Sequence, residues 1–180
     1  FQAIKPKGGE MPVVMGAGGS GILLHEAIGH AFEADFNRKN TSIFSDQLNK
    51  KVCNEHINVV DDGTIPFNRG SVNIDDEGVD GQKTYIVREG VLTSYLHDRI
   101  SAKHYGIPST GNGRRESFRQ MPIPRMRATY MEAGNVTEEE IISTVKKGIY
   151  AANFTNGQVQ IGAGDFTFFV KDGYLIENGK

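Results

Sequence analysis

The sequence holds a single cysteine, Cys53, and no tryptophan in 180 residues. One thiol excludes an internal disulfide and fits a reducing, cytoplasmic setting. There is no apolar run long enough to span a membrane. Neither charge sign is in excess: 20 Lys and Arg against 22 Asp and Glu leave a formal charge of −2. That balance argues against a nucleic-acid footprint. No internal repeat, low-complexity tract or targeting segment is visible. Glycine, in contrast, is plentiful at 22 residues, which suits turns and close backbone approaches better than a helical bundle. The length is that of one ordinary domain with a real core. We expect residues 1–180 to form a single domain belonging to a longer chain. Phe1 is not an initiator Met, and Asn178-Gly179 reads as a two-residue hairpin turn whose returning strand would lie beyond Lys180.

The most informative stretch is Gly21 to Glu33, which contains His25-Glu26-Ala27-Ile28-Gly29-His30. On a helix at about 100° per residue, His25, Gly29, Glu33, Glu26 and His30 share one arc of roughly 140°. Leu23, Leu24, Ala27, Ile28, Ala31 and Phe32 fill the rest. The apolar arc is wide enough to be buried, which leaves two imidazoles and two carboxylates in a partly enclosed place. Neutral imidazoles bind a borderline-soft ion such as zinc, and a neighbouring Glu can serve a water as base. The two His are five residues apart, not the four of the familiar zinc-protease helix. On a straight α-helix they would diverge by about 140°. A local widening to an i→i+5 turn near Ile28-Gly29 would bring them together, and Gly29 would ease that distortion. Glu33 is the fallback ligand on the same arc. Cys53 is expected to be a packed side chain and not a ligand.

Along the rest of the chain the pattern is of short strands with a few helices. Met11–Met15, His56–Val60, Met126–Met131, Gln158–Ile161, Phe166–Val170 and Tyr174–Ile176 read as strands. Thr84–Val87 and Val91–Leu96 flank Arg88-Glu89-Gly90 as a hairpin, and Asp172-Gly173 reads as another hairpin turn. Asp61-Asp62-Gly63 and Asp75-Asp76-Glu77-Gly78 read as solvated turns. Asp98–Tyr105 is a short-helix candidate, with His97 and His104 at the surface or hydrogen-bonded. Thr137-Glu138-Glu139-Glu140 is a capping box that opens an amphipathic helix through Ile149. The fold class is therefore α+β: mostly antiparallel sheet, a motif-bearing helix and one or two further helices. Arg114, Arg115, Arg119, Arg125 and Arg127 make the long segment from Gly106 to Pro124 and its flank locally basic. Asn112, Arg114 and Arg115 in it are candidate substrate-binding residues, because long loops often carry function and Arg presents a rigid donor fork.

Two other functional classes stay open on the residues alone. Gly16-Ala17-Gly18-Gly19-Ser20-Gly21, between a strand and a helix, fits the dinucleotide-binding fingerprint of an oxidoreductase. However, Phe36–Ser42 does not supply the second strand and acid that such a site needs. A non-catalytic, peptide-binding scaffold that merely retains the His is the other.

His25-Glu26-Ala27-Ile28-Gly29-His30 followed by Glu33-Ala34-Asp35-Phe36-Asn37-Arg38 resembles the TldD/PmbA family of metalloproteases, closest to the TldD branch. Val59–Thr64, Gly70–Val72, Asp75–Gly78, Gly111–Ser117, Pro124–Met126, Thr129–Met131 and Tyr174–Lys180 also look like that family's central region. The resemblance implies a zinc peptidase acting on extended or unfolded polypeptides, usually paired with a sister subunit that lacks the motif. It implies His25 and His30 as zinc ligands, Glu26 as general base, and a third, Cys ligand downstream of Lys180. On that reading the segment is not active by itself, and neither a nucleic acid nor a membrane is a partner.

Overall fold

A computed structural model describes residues 3–180. In chain order its elements are β1 (Val13–Met15), α1 (Ser20–Leu23), a π-helical turn (Leu24–Gly29), a 3-10 turn (His30–Phe32), α2 (Ala34–Arg38), β2 (Val59–Asp62), β3 (Lys83–Arg88), β4 (Val91–Leu92), α3 (Arg99–Tyr105), β5 (Gly113–Arg114), β6 (Ile123–Pro124), β7 (Thr129–Met131), α4 (Glu138–Ser143), β8 (Lys147–Gln160) and β9 (Asp165–Glu177). This is the expected α+β class, with one parallel ladder among antiparallel ones. Among the described residues no helix is long and apolar enough to cross a membrane. The chain divides into two compact units.

The larger unit, Leu24–Ala133 with Val159–Phe166, carries the π turn. Its sheet has the order β4-β3-β2-β7, antiparallel throughout. Phe32, Ala34, Val59, Ile86, Val87, Leu92, Tyr95, Leu96 and Met126 form its core, with Leu24 and Ile28 of the π turn packed against it. Fully burying side chains of this size contributes about 1.5–3 kcal/mol each. The chain leaving the motif is stitched to the strand segment beside it. Leu96 N–H donates to the Phe32 carbonyl and Ala34 N–H to the Leu96 carbonyl, both at 3.0 Å. The β3–β4 hairpin forms where the sequence placed it, with Glu89 and Gly90 at φ of 50° and 75°, the two positive values a type I′ turn requires. Asp98 caps α3 by accepting from Ser101 N–H at 2.7 Å, and Gly106 closes it in the left-handed region. Strand structure in this unit is shorter than expected at Met126–Met131, where only Thr129–Met131 pairs.

The first acidic cluster is not the solvated turn read from the sequence, whereas the second does turn, with Gly78 N–H donating to the Asp75 carbonyl and Asp76 exposed. Asp61 and Asp62 belong to β2 and are buried, as is Asp75. Each carboxylate replaces its water with protein donors. Asp61 accepts from Arg127 N–H (2.9 Å), Thr129 Oγ1 (2.7 Å) and Asn112 Nδ2 (2.7 Å). Asp75 accepts from the N–H groups of Glu77, Val79 and Gly113. Burial pushes the Asp61 carboxyl pKa up, against the pull of these donors.

The second unit comprises residues up to Leu23, Gly134–Gln158 and Thr167–Lys180. Its sheet has the order β1-β8-β9, with β1 parallel to β8. Val14, Val145 and Ile176 form a small core, with Ile142 and Tyr150 beside it. The capping box is present: Glu140 N–H donates to Thr137 Oγ1 and Thr137 N–H to Glu140 Oε2. The helix stops at Ser143, well short of Ile149, because Ile149 pairs with Val13 in the sheet and tertiary pairing overrides the helical period. Nor is there a hairpin at Asp172-Gly173. β9 runs straight through it, with Gly173 close against the Tyr150 carbonyl. Asn178-Gly179 does turn the chain, at φ of 52° and 79°, with Glu177 and Lys180 exchanging both backbone hydrogen bonds.

His97 is neither at the surface nor hydrogen-bonded through its ring. It is fully buried against Tyr95 and Tyr105, and neither ring nitrogen has a partner among the described residues. Burial lowers its pKa from 6.5 to about 4. Between those values the unfolded chain binds a proton that the fold rejects. Stability is therefore intact above pH 6.5 and falls with pH toward 4, by up to about 1.4 kcal/mol per pH unit. In urea titrations across this window, His97→Phe should show a shallower pH dependence than the wild type.

Candidate metal centre

The π turn brings the two motif imidazoles together. Six residues, Leu24–Gly29, take the widened turn, and the His25 and His30 rings meet edge to face with centroids 4.8 Å apart. Metal-capable atoms of His25, Glu26 and His30 all lie within 4.8 Å of one another. A regular α-helix would have sent the two rings apart. His25 Nε2 lies 3.9 Å from Glu26 Oε1, and about half of each of these side chains is open to solvent.

Gly29 serves the turn differently from the expectation. Its backbone is ordinary right-handed helix, φ −57° and ψ −50°, so no conformational freedom is being used there. What it supplies is space. A Cβ at this position would fall far inside contact distance of Met126 Sδ and 3.0 Å from its Cε.

Glu33 is buried beneath the site with its oxygens committed. Its Oε2 lies 3.1 Å from His30 Nδ1 and accepts from Arg125 Nη1 at 3.0 Å. Its Oε1 accepts from Met126 N–H at 3.3 Å. With its side chain wholly inaccessible, Glu33 is a support for His30 and not the fallback ligand that its place on the polar arc suggested. Asp35 is also near Arg125, at 3.8 Å. Asn37 Nδ2 donates to the carbonyls of Ala31 and Glu33 at 2.8 and 2.9 Å. The run after the second His is thus a scaffold for it.

The two imidazoles are tuned in opposite directions. Burial, and then the neighbouring His30, lower the His25 pKa. The Glu33 hydrogen bond raises that of His30. The donor set fits a borderline-soft cation: two imidazoles and a carboxylate side by side, one imidazole backed by a second carboxylate in the manner of metal-ligating His.

The three loop residues separate. Arg114 is exposed and near enough for its positive charge to help depress the His25 pKa. Arg115 is exposed, and its Nη1 donates to the Gln120 carbonyl. Asn112 is buried and has no surface to offer a substrate. Its Nδ2 donates to Asp61 and the Arg125 carbonyl, and its Oδ1 accepts from Thr110 Oγ1. Cys53 packs against the core of the larger unit, where burial raises its thiol pKa. In the Gly16–Gly21 stretch Gly16 leaves room for the Tyr150 ring and Gly19 for the backbone at Ala152-Asn153, Gly18 takes a positive φ of 86°, and Gly21 faces open space. Arg125 is the residue that local reading could not single out, since it lies 92 positions from Glu33. Glu33 had a visible signal, its i+3 spacing from His30.

A family model described as the PmbA/TldA metallopeptidase C-terminal domain matches residues 8–180. The chain belongs to the TldD/PmbA metallopeptidase family. It is 52% identical over 172 residues to a metalloprotease TldD homolog of Buchnera aphidicola subsp. Acyrthosiphon pisum, covering 96% of this chain and 36% of that one. It is 36% identical to a zinc metalloprotease TldD homolog of Saccharolobus solfataricus, covering 97% of this chain and 39% of that one. Among solved structures it is similar to TldE from Thermococcus kodakarensis, with a TM-score of 0.80 and 25% identity over 94% of this chain and 39% of that one. It is also similar to a candidate modulator of a DNA gyrase from Thermotoga maritima, with a TM-score of 0.86 and 26% identity over 99% and 40%. The chain spans a little over a third of the length of the curated relatives named here.

The tight fit of Met126 on Gly29 makes a prediction about the family motif. Gly29→Ala should destabilise the protein by no more than about 1 kcal/mol, because the clash is with the flexible end of Met126 and Ala is the better helix former. Met126→Ala, which empties a core position, should cost about 2–5 kcal/mol alone, and the double variant should cost less than the sum of the two single variants. Urea midpoints of the two single variants and the double variant measure the coupling.

Proposed function

We propose that this chain carries the reaction centre of a zinc endopeptidase that hydrolyses extended or unfolded polypeptides. The observation that carries the reading is the convergence of His25, Glu26 and His30 on one π turn. Zinc held by His25 and His30, completed in the whole protein by a downstream Cys, would supply a Lewis acid that lowers the pKa of a water and polarises a peptide carbonyl. Glu26, half exposed beside His25, takes the proton of the attacking water on a carboxylate oxygen and then passes it to the leaving amine. Arg114, whose charge reaches His25, is placed to bind a substrate carbonyl or carboxylate, with Arg115 further along the same loop.

Substrate docking has a candidate in β7. This strand packs on the π turn and is an edge of its sheet. Ladder bonds to β2 engage Tyr130, and the flanking residues Ala128 and Glu132 also bond toward β2. By alternation, the backbone groups of Thr129 and Met131 face outward. An extended chain added there would be held through its main chain, with low sequence selectivity. A sister subunit of the same family is the proposed partner.

In the whole protein, Glu26→Gln should lower cleavage of an unfolded substrate such as reduced casein by about 10²–10⁴-fold. Zinc content by atomic absorption should stay near the wild-type value. Zinc loss in that variant would make Glu26 a ligand, and retained turnover would remove it from the mechanism.

A further inference from the structure

The function proposed above needs His30 to present one particular nitrogen, and the residues beneath it fix which one. The His30 side chain is 29% exposed, so water alone would leave its ring free to turn and to exchange tautomers. Glu33 removes that freedom. Its own freedom is removed in turn: Glu33 N–H donates to the His30 carbonyl, its carbonyl accepts from Asn37, and it bridges to Leu96. Arg125 supplies the counter-charge that lets this carboxylate lie fully buried, because an unpaired buried charge is strongly destabilising. Arg125 is itself held from both sides of its backbone. Its N–H donates to the Asn112 carbonyl, its carbonyl accepts from Asn112 Nδ2, and its Nη1 also donates to the Pro124 carbonyl.

We propose that Glu33, seated by Arg125 and the Met126 N–H, is a positioning residue that holds His30 as the Nδ1–H tautomer and leaves Nε2 as the bare nitrogen for the metal. The inference rests on the metallopeptidase reading for its purpose, but the tautomer is a property of the metal-free protein. A neutral imidazole donating Nδ1–H to a carboxylate has its lone pair on Nε2. Such a carboxylate also raises ligand basicity, and its removal typically costs 10–100-fold in metal affinity. Glu33→Gln keeps the shape and removes the charge. Its amide can present either an oxygen or an N–H₂ to His30, so the tautomer is no longer dictated.

The test uses the whole protein, metal-free and then titrated with zinc against a chelator. At about pH 9, where imidazole is ordinarily neutral, ¹⁵N–¹H correlation of the His30 ring should report the Nδ1–H tautomer in the wild type. An Nε2–H tautomer there overturns the proposal without recourse to any variant. Glu33→Gln should bind zinc about 10–100-fold more weakly while keeping the wild-type circular dichroism. Folded Glu33→Gln with unchanged zinc affinity also overturns it. Should Glu33→Gln fail to fold, Arg125→Lys takes its place: a cation that still neutralises Glu33 but lacks the fork should weaken zinc binding by a smaller factor, and unchanged affinity counts against the proposal. A wild type that shows the Nδ1–H tautomer yet binds no zinc sinks the metallopeptidase reading and leaves the positioning of His30 by Glu33 standing.

Discussion

The buried carboxylate of Glu33 is the constraint on which the centre depends. It is a charge with no access to water, and every group around it exists in part to make that tolerable. Arg125 neutralises it, Met126 N–H solvates one oxygen, and His30 takes up the other. The same interactions reach outward. Asn112 links Arg125 to Asp61, and Asp61 ties Arg127 and Thr129 to β2. A continuous polar path thus runs from the middle of a sheet to a partly exposed imidazole. Partly satisfied networks of this kind are costly, so the path also fixes one arrangement of the long loop that ends at Pro124.

The five-residue spacing of the two His was legible as a geometric problem before any coordinates, and its solution, a widened turn, is what the chain adopts. The apolar arc likewise forecast that Leu24, Ile28 and Phe32 would face a core. Spacing gave no access to the purpose of Gly29. Its need for space comes from Met126, 97 residues away in sequence, and no local pattern encodes such a contact. The same holds for Arg125, which stood in the sequence as one of several Arg in a basic stretch.

Turn chemistry misled in a consistent way. Asp-Gly at 172–173 and the acid clusters at 61–62 and 75–77 have the composition of solvent-exposed loops. At Asp172-Gly173 the neighbouring strand leaves no room for reversal, and β9 continues. At Asp61 the donors come from residues far along the chain, and at Asp75 a distant Gly113 N–H joins the local donors Glu77 and Val79. Composition records what a carboxylate prefers when alone, and these are not alone. Where both residues of a turn needed positive φ, as at Glu89-Gly90 and Asn178-Gly179, local chemistry was decisive.

A π turn advances along its axis with one residue more than an α-helix needs for the same register. The extra residue is absorbed locally, and the faces on either side stay in phase. In length, therefore, the His-Glu-x-x-x-His motif and the familiar four-residue spacing differ by a single codon. A one-residue deletion between Glu26 and Gly29 could be taken up by converting the widened turn to α-helix, leaving Phe32 and Glu33 facing as they do now. In a plain α-helix the same deletion would swing everything downstream by about 100° and carry the core residues to the surface. Length variation, elsewhere in a helix a gross lesion, is at this one place a small step between neighbouring metal-binding geometries.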